Sequence, residues 1–150
     1  MRMVIQRVSQ ASVTINHLET RSIGKGLVVL LGIEHRDDNS DVDWLVHKLV
    51  QLRIFSDSSN KMNLSLLDIK GELLIISQFT LMASTKKGNR PSFIDAANPA
   101  LAIPLYERFI ELARGVISGR VSHGEFGADM KVNLINDGPV TILIDSKNRE

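Results

Sequence analysis

A chain of 150 residues that is 43% apolar and 23% charged has the material for one domain with a real core, spanning 1–150 without a linker. Its formal charge of +1 supplies no bulk attraction to nucleic acid, so any contact with RNA has to come from a local patch. The lack of cysteine excludes disulfides, a thiolate nucleophile and thiolate metal ligands. The longest apolar run, Leu27 to Ile33, is far too short to cross a bilayer. Met1 to Arg7 enters a strand-like pattern directly, without the apolar stretch and small-residue cleavage site of a signal peptide, so no membrane association and a cytoplasmic location are expected.

In chain order, Met3 to Val8 and Ala11 to Asn16 read as two strands, the second alternating Ala11, Val13 and Ile15 with Ser12, Thr14 and Asn16. His17 to Arg21 is the connecting tip. The continuous apolar run Leu27 to Leu31 reads as a strand covered on both faces, hence the central one. Glu34 to Asp41 is a polar loop in which Ser40 or Asp41 caps a helix carrying Val42, Leu45, Val46 and Leu49 at helical spacing. Arg53 to Phe55 is a short strand, and Asn60 is placed to take a left-handed turn conformation.

Leu73 to Thr80 begins as a buried strand and turns polar with no turn residue between, so that Ser77, Gln78 and Thr80 stand at the strand's end. Strand alternation puts Ser77 and Phe79 on one face and Gln78 and Thr80 on the other. Sheets fix side-chain positions closely, which makes a polar strand end a place to present chemistry, although a strand simply surfacing into solvent has the same composition. From Met82 to Asn98 periodicity is lost. The centre of that stretch places Lys86, Lys87 and Arg90 around Gly88, a pattern that fits phosphate approach and equally a solvated loop. Asn98-Pro99 resembles a helix cap followed by proline in the first position, and the helix continues through Leu105, Tyr106, Phe109 and Ala113 to Gly115, either kinked at Pro104 or beginning there. Val116 to Ser122 is uninformative. Phe126 lies between glycines, and Met130, Val132 and Leu134 alternate with polar residues as a further strand; Phe126 and Met130 read first as core. Asn136-Asp137-Gly138-Pro139 is dense in turn formers and leads into the strand Val140 to Ile144, a trans bond being the default at Pro139. Strands with two helices make an α+β domain.

The histidines at 17, 35, 47 and 123 lack metal-ligand spacing, and the sequence contains no nucleophile elbow, phosphate loop or dinucleotide fingerprint. No base stands near Ser77 or Thr80 in sequence. The reaction such a site serves is therefore an easy one, resting on positioning and on hydrogen bonds to a developing oxyanion, as in hydrolysis of an activated ester.

Read together, Ser77-Gln78-Phe79-Thr80 and Asn136-Asp137-Gly138-Pro139-Val140-Thr141 resemble the two signature motifs of the D-aminoacyl-tRNA deacylases. Gln6-Arg7-Val8, Arg53-Ile54-Phe55, Lys61-Met62-Asn63, Lys87 to Phe93 and Leu105-Tyr106 extend the resemblance over the whole chain. Asn60 stands where that family usually has glycine, which keeps a left-handed turn accessible. The resemblance implies a single α+β domain with curved, largely antiparallel or mixed sheets, acting as a homodimer without metal or organic cofactor. It implies hydrolysis of the ester of D-aminoacyl-tRNA, and of glycine misattached to alanine tRNA, with help from the terminal ribose 2′-hydroxyl. Carried over by position, Ser77, Gln78, Phe79 and Thr80 line the pocket, Gly138-Pro139 enters as a cis pair from the other subunit to exclude L-residues, and Arg7 braces that turn. Lys86, Lys87 and Arg90 would hold tRNA phosphates, and Phe126 with Met130 would form a slot for the terminal adenine. Two other readings remain: a non-catalytic nucleic-acid-binding module, which the single Trp and Tyr disfavour, and a hydrolase of small D-amino acid esters unconnected to tRNA.

Overall fold

The computed structural model describes residues 1–149. β1 (Arg2–Ile15) is one continuous strand where two were expected, because the exposed pair Ser9 and Gln10 between its apolar halves forms a bulge and not a turn. The turn itself is shorter than the expected tip: Asn16 and His17 take positive φ (50° and 59°), and β2 (Glu19–Ile23) returns along β1 with Ile15 opposite Glu19.

β3 (Gly26–Gly32) runs along Arg2 to Val8 of β1 and is buried on both faces. Leu27, Val29 and Leu31 point into one core while Val28 points into the other, as a strand's period of two requires. α1 (Asn39–Gln51) follows, and its cap is Asp38, not Ser40 or Asp41. The Asp38 carboxylate accepts from the Ser40 amide at 2.8 Å while Asp41 accepts from the Asp38 amide at 2.9 Å, so that the reciprocal pair starts the helix earlier. The polar stretch before it is not solvated throughout, for Glu34, Asp37 and Asp41 are buried. Asp37 receives the Met1 ammonium, and Asp41 the Lys147 ammonium at 2.7 Å. β4 (Phe55–Ser56) and β5 (Met62–Leu64) form a small separate hairpin, with Asn60 at φ 58° in its turn.

β6 (Glu72–Ser77) lies parallel to β3, and β7 (Val121–His123), in the stretch the sequence left blank, lies parallel to β6. Parallel neighbours need crossovers. α1 and the small hairpin supply the first, and α2 (Pro99–Val116) supplies the second, capped by Asn98, with Pro99 in its first turn and Pro104 accommodated inside it. β8 (Met130–Asp145) then pairs antiparallel along the whole of β1. The expected turn at Asn136 to Pro139 does not reverse the chain. Asn136 pairs with Val8 and Thr141 with Gln6, so the residues between bulge out opposite Arg7 alone.

The resulting sheet, ordered β2-β1-β3-β6-β7 with β8 on the other edge of β1, is curved enough that β2 and β7 meet through side chains. Arg21 donates to the His123 carbonyl at 2.8 Å and Arg120 to the Ser22 carbonyl at 3.2 Å. One face of the sheet packs under α1 and α2, and the other carries the second apolar cluster, with Val8, Val13, Val28, Leu74 and Ile76. No helix among the described residues is long and apolar enough to cross a membrane.

Candidate active site

The strand that opens as Leu73 to Ile76 ends at Ser77, three residues sooner than its composition indicated. The Gln78 amide still donates to the Leu31 carbonyl at 2.7 Å, after which Phe79–Met82 wind into one 3₁₀ turn. That winding cancels the two-face alternation expected for residues 77 to 80 and brings Ser77, Gln78 and Phe79 to one opening. The approach of β3 to this turn is close. A Cβ on Gly32 would stand 2.9 Å from the Leu81 Cβ and 3.0 Å from the Gln78 carbonyl oxygen, so the end of β3 admits glycine only.

The opening is a cavity of about 310 Å³ at the carboxyl ends of β3 and β6. Leu31 comes from β3 and Ile33 from just beyond it, Ile76 and Ser77 from β6, Ala97 from just before the cap of α2 and Ala102 from its first turns, Phe126 to Ala128 from the segment entering β8, and Met130 and Val132 from the start of β8. No ionisable side chain is among them. Ser77 and Gln78 are its polar side chains, and the first amides of a helical turn have no partner inside it. Those of Phe79 and Thr80 donate to no protein acceptor among the described residues.

Thr80 stands outside the cavity lining, exposed, with its hydroxyl accepting from the Gln78 side-chain amide. Phe79 is 56% exposed and meets Phe93 edge to face, ring centroids 5.1 Å apart. Phe126 rests on Tyr106, centroids 6.0 Å apart, and the Tyr106 hydroxyl donates to the Ile75 carbonyl at 3.0 Å, which fixes both rings to the strand that leads into the site. Burial drives the Tyr106 hydroxyl's pKa upward, so it stays a donor.

The remaining candidates lie elsewhere on the chain. Lys86, Lys87 and Arg90 ride on the tip of a loop whose base is closed by reciprocal hydrogen bonds between Ser84 and Ser92 (2.8 and 2.9 Å), and Gly88 there takes φ 78°. Gly138 and Pro139 are exposed on the β8 bulge, joined by a cis peptide, and neither lines the cavity of its own chain. Arg7 lies beneath them, donating from Nε to the Asp137 carbonyl at 2.9 Å and from Nη1 to the Ile54 carbonyl. Sequence reasoning missed Leu31, Ile33, Ala97 and Ala102 in the cavity wall, since small and aliphatic residues carry no chemical signal; the glycine ending β3 is the one mark that something packs tightly there. Among the described residues no group of three or more His, Asp or Glu side chains is arranged to hold a metal.

The chain is thus an α+β protein with a neutral strand-end pocket and amide donors at its rim, the make-up of a site that can receive a small polar group. Residues 4–145 match the sequence model of the family described as D-Tyr-tRNA(Tyr) deacylase, and the chain belongs to that family of hydrolases. A relative from Cytophaga hutchinsonii named D-aminoacyl-tRNA deacylase is 63% identical over 147 residues, 98% of each chain. The solved structure described as the c-Myc DNA Unwinding Element Binding Protein superposes with a TM-score of 0.90 at 40% identity, covering 97% of this chain and 98% of its own. Another, of a probable eukaryotic D-amino acid tRNA deacylase, superposes at 0.83 and 20% identity over 95% and 97%, a likeness of fold.

Proposed function

We propose that this protein hydrolyses the ester linking a D-amino acid to the terminal adenosine of tRNA, and that linking glycine to alanine tRNA, acting as a homodimer in the cytoplasm. The observation that carries this reading is the make-up of the pocket: with no acid or base in its wall, it suits a reaction whose nucleophile is activated within the substrate. The ribose 2′-hydroxyl adjacent to the ester fills that role. The amides of Phe79 and Thr80, with the Ser77 hydroxyl and Gln78 amide beside them, supply donors to the oxyanion.

Phe126 and Met130 offer the adenine an aromatic face and an adaptable thioether. Lys86, Lys87 and Arg90 at the loop tip contribute sequence-independent attraction to phosphates. The exposed Gly138-Pro139 bulge reaches into the pocket of the second subunit, where its backbone carbonyls accept from the substrate ammonium and leave no room for an L side chain. Long exposed strand β8, with Ile135 at 53% and Leu143 at 64% exposure, offers apolar surface for that association.

A second reading, a non-catalytic nucleic-acid-binding module, has one observation in its favour: the description of the structure at 40% identity as a DNA unwinding element binding protein. The near-neutral charge and the scarcity of aromatic residues weigh against it. Release of D-tyrosine from D-tyrosyl-tRNA, measured beside L-tyrosyl-tRNA and a simple D-tyrosine ester, separates the readings. Turnover of the D-tRNA ester alone is expected; equal turnover of all three defeats the proposal, and no turnover with tight nucleic-acid binding favours the second reading.

A further inference from the structure

On the far side of the 3₁₀ turn from the pocket lies a groove of about 590 Å³ with one wall made by Glu34, His35 and Arg36 and the other by Ala83 to Lys86. The walls of the two cavities are consecutive along the chain in two places. Ile33 of the pocket is followed by Glu34 of the groove, and Phe79 of the pocket is joined to Met82 of the groove by a single turn that rises about 6 Å. Whatever is covalently attached to the pocket's occupant and extends past this turn enters the groove.

Its cations and hydroxyls complement a phosphate-bearing strand. Arg36, which lines the groove, is 69% exposed and spends one guanidinium nitrogen on both Glu34 oxygens (3.0 and 3.3 Å), which leaves its other N–H groups without a hydrogen-bond partner among the described residues. Lys86 forms no ion pair among the described residues, and Ser84 and Thr85 add hydroxyls. The groove also holds two carboxylates. Glu34 is buried and compensated by Arg36, while Asp95 is exposed and able to accept from a base amino or ribose hydroxyl group. The groove wall is held in place at both ends, by the Ser84 to Ser92 pair and by the Ala97 amide donating to the Ile33 carbonyl at 2.9 Å.

We propose that this groove is the channel for the single-stranded nucleotides preceding the terminal adenosine, and that Arg36 is the residue that holds their phosphate. The proposal rests on the deacylase reading above. D-tyrosine esterified to tRNA is compared with D-tyrosine esterified to adenosine alone, which carries no phosphate. For Arg36→Gln the ratio of kcat/KM on the tRNA ester to that on the adenosine ester falls about tenfold, mostly through KM, and the salt dependence of KM on the tRNA ester flattens by about one phosphate's worth. Arg114→Ala, an exposed cation in the last turn of α2, leaves the ratio as in the wild type. Lys86→Ala, on an exposed loop, gives the same direction of change without touching the buried Glu34. An unchanged ratio in both variants, or a loss shared equally by both esters, overturns the proposal. Wild type that cleaves neither ester defeats the deacylase reading instead; the groove is then judged by titrating a short RNA ending in cytidine-cytidine-adenosine into wild type and Lys86→Ala, where equal affinity and salt slope sink it.

Discussion

The Arg7 guanidinium ties the Asp137 carbonyl, 2.9 Å from its Nε, to the Ile54 carbonyl, and so joins the β8 bulge to the segment before the small hairpin. One side chain thereby satisfies two carbonyls of irregular backbone that no strand partner reaches. It also limits what the bulge admits, since a Cβ on Gly138 would stand 2.9 Å from the Arg7 Nη2. Arg7→Met keeps most of the side-chain volume and removes both donors. We expect the variant to fold, to lose ten- to a hundredfold in kcat/KM on D-tyrosyl-tRNA, and to cleave L-tyrosyl-tRNA relatively better as the bulge loses its brace. Chiral selectivity equal to that of the wild type would show that Arg7 has no part in aiming Gly138-Pro139.

Thr80 accepts a hydrogen bond from Gln78 and has no histidine, lysine or carboxylate as a hydrogen-bond partner among the described residues. A threonine in that setting positions; it is not activated as a nucleophile. Thr80→Ala is expected to retain measurable turnover, whereas a substrate with a 2′-deoxy terminal adenosine is deacylated far more slowly. A trapped acyl-enzyme in wild type, together with a dead Thr80→Ala, would falsify this assignment.

Tyr106 is 3% exposed, and its hydroxyl is bonded to the Ile75 carbonyl. Tyr106→Phe leaves that carbonyl's second acceptance unmet at little steric cost. A loss of about 1 kcal/mol in unfolding free energy is expected, read as a lower denaturant midpoint at constant slope. Because the ring that supports Phe126 is retained, kcat and KM should both stay close to the wild-type values. An unaltered midpoint would mean that the hydroxyl finds no use for the bond.

Burial alone would push the Asp41 carboxyl upward, yet the hydrogen bonds from Lys147, Ser146 and the Asp38 amide bring it down to about 2. The folded value thus lies below the value of about 3.9 for an unfolded chain, and the protein gains stability above that pH. The contribution, about 2 kcal/mol, is present at neutral pH and is lost as pH falls from about 4 to about 2. Asp41→Asn should therefore be the less stable protein at pH 7, and the two stability curves should converge near pH 2. Parallel curves across that window would show that the ion pair to Lys147 does not set the acid sensitivity.

Much of the framework was legible because periodicity and burial coincide. Leu27 to Leu31 reads as a doubly covered strand and is one, and Asn98-Pro99 announces α2 in its own cap chemistry. The failures share a cause. Turn-forming residues at Ser9-Gln10 and at Asn136 to Pro139 mark irregularity, but only tertiary pairing decides whether irregular backbone reverses or bulges, and β1 and β8 hold each other straight across both places. Ser77 to Thr80 is the polar terminus that its composition indicates, but it is not straight. Extended and 3₁₀ backbone differ there through the contact with Gly32 on another strand, which local composition does not encode. β7 escaped notice because three half-buried residues are too few to show a period.

The marriage of the first strand to the last has a kinetic side. Met3 pairs with Ile144 and Ile15 with Met130, so the longest ladder in the molecule joins positions more than a hundred residues apart. Entropy is surrendered before such contacts repay it, and chains ruled by them fold on the order of milliseconds to seconds. Until β8 arrives, one whole edge of β1 stays open to strangers, other nascent copies included. Synthesis in the cell therefore passes through a window in which this small protein is at its stickiest, and a chaperone that shields the β1 edge would be expected to raise its yield more than one that acts on its helices.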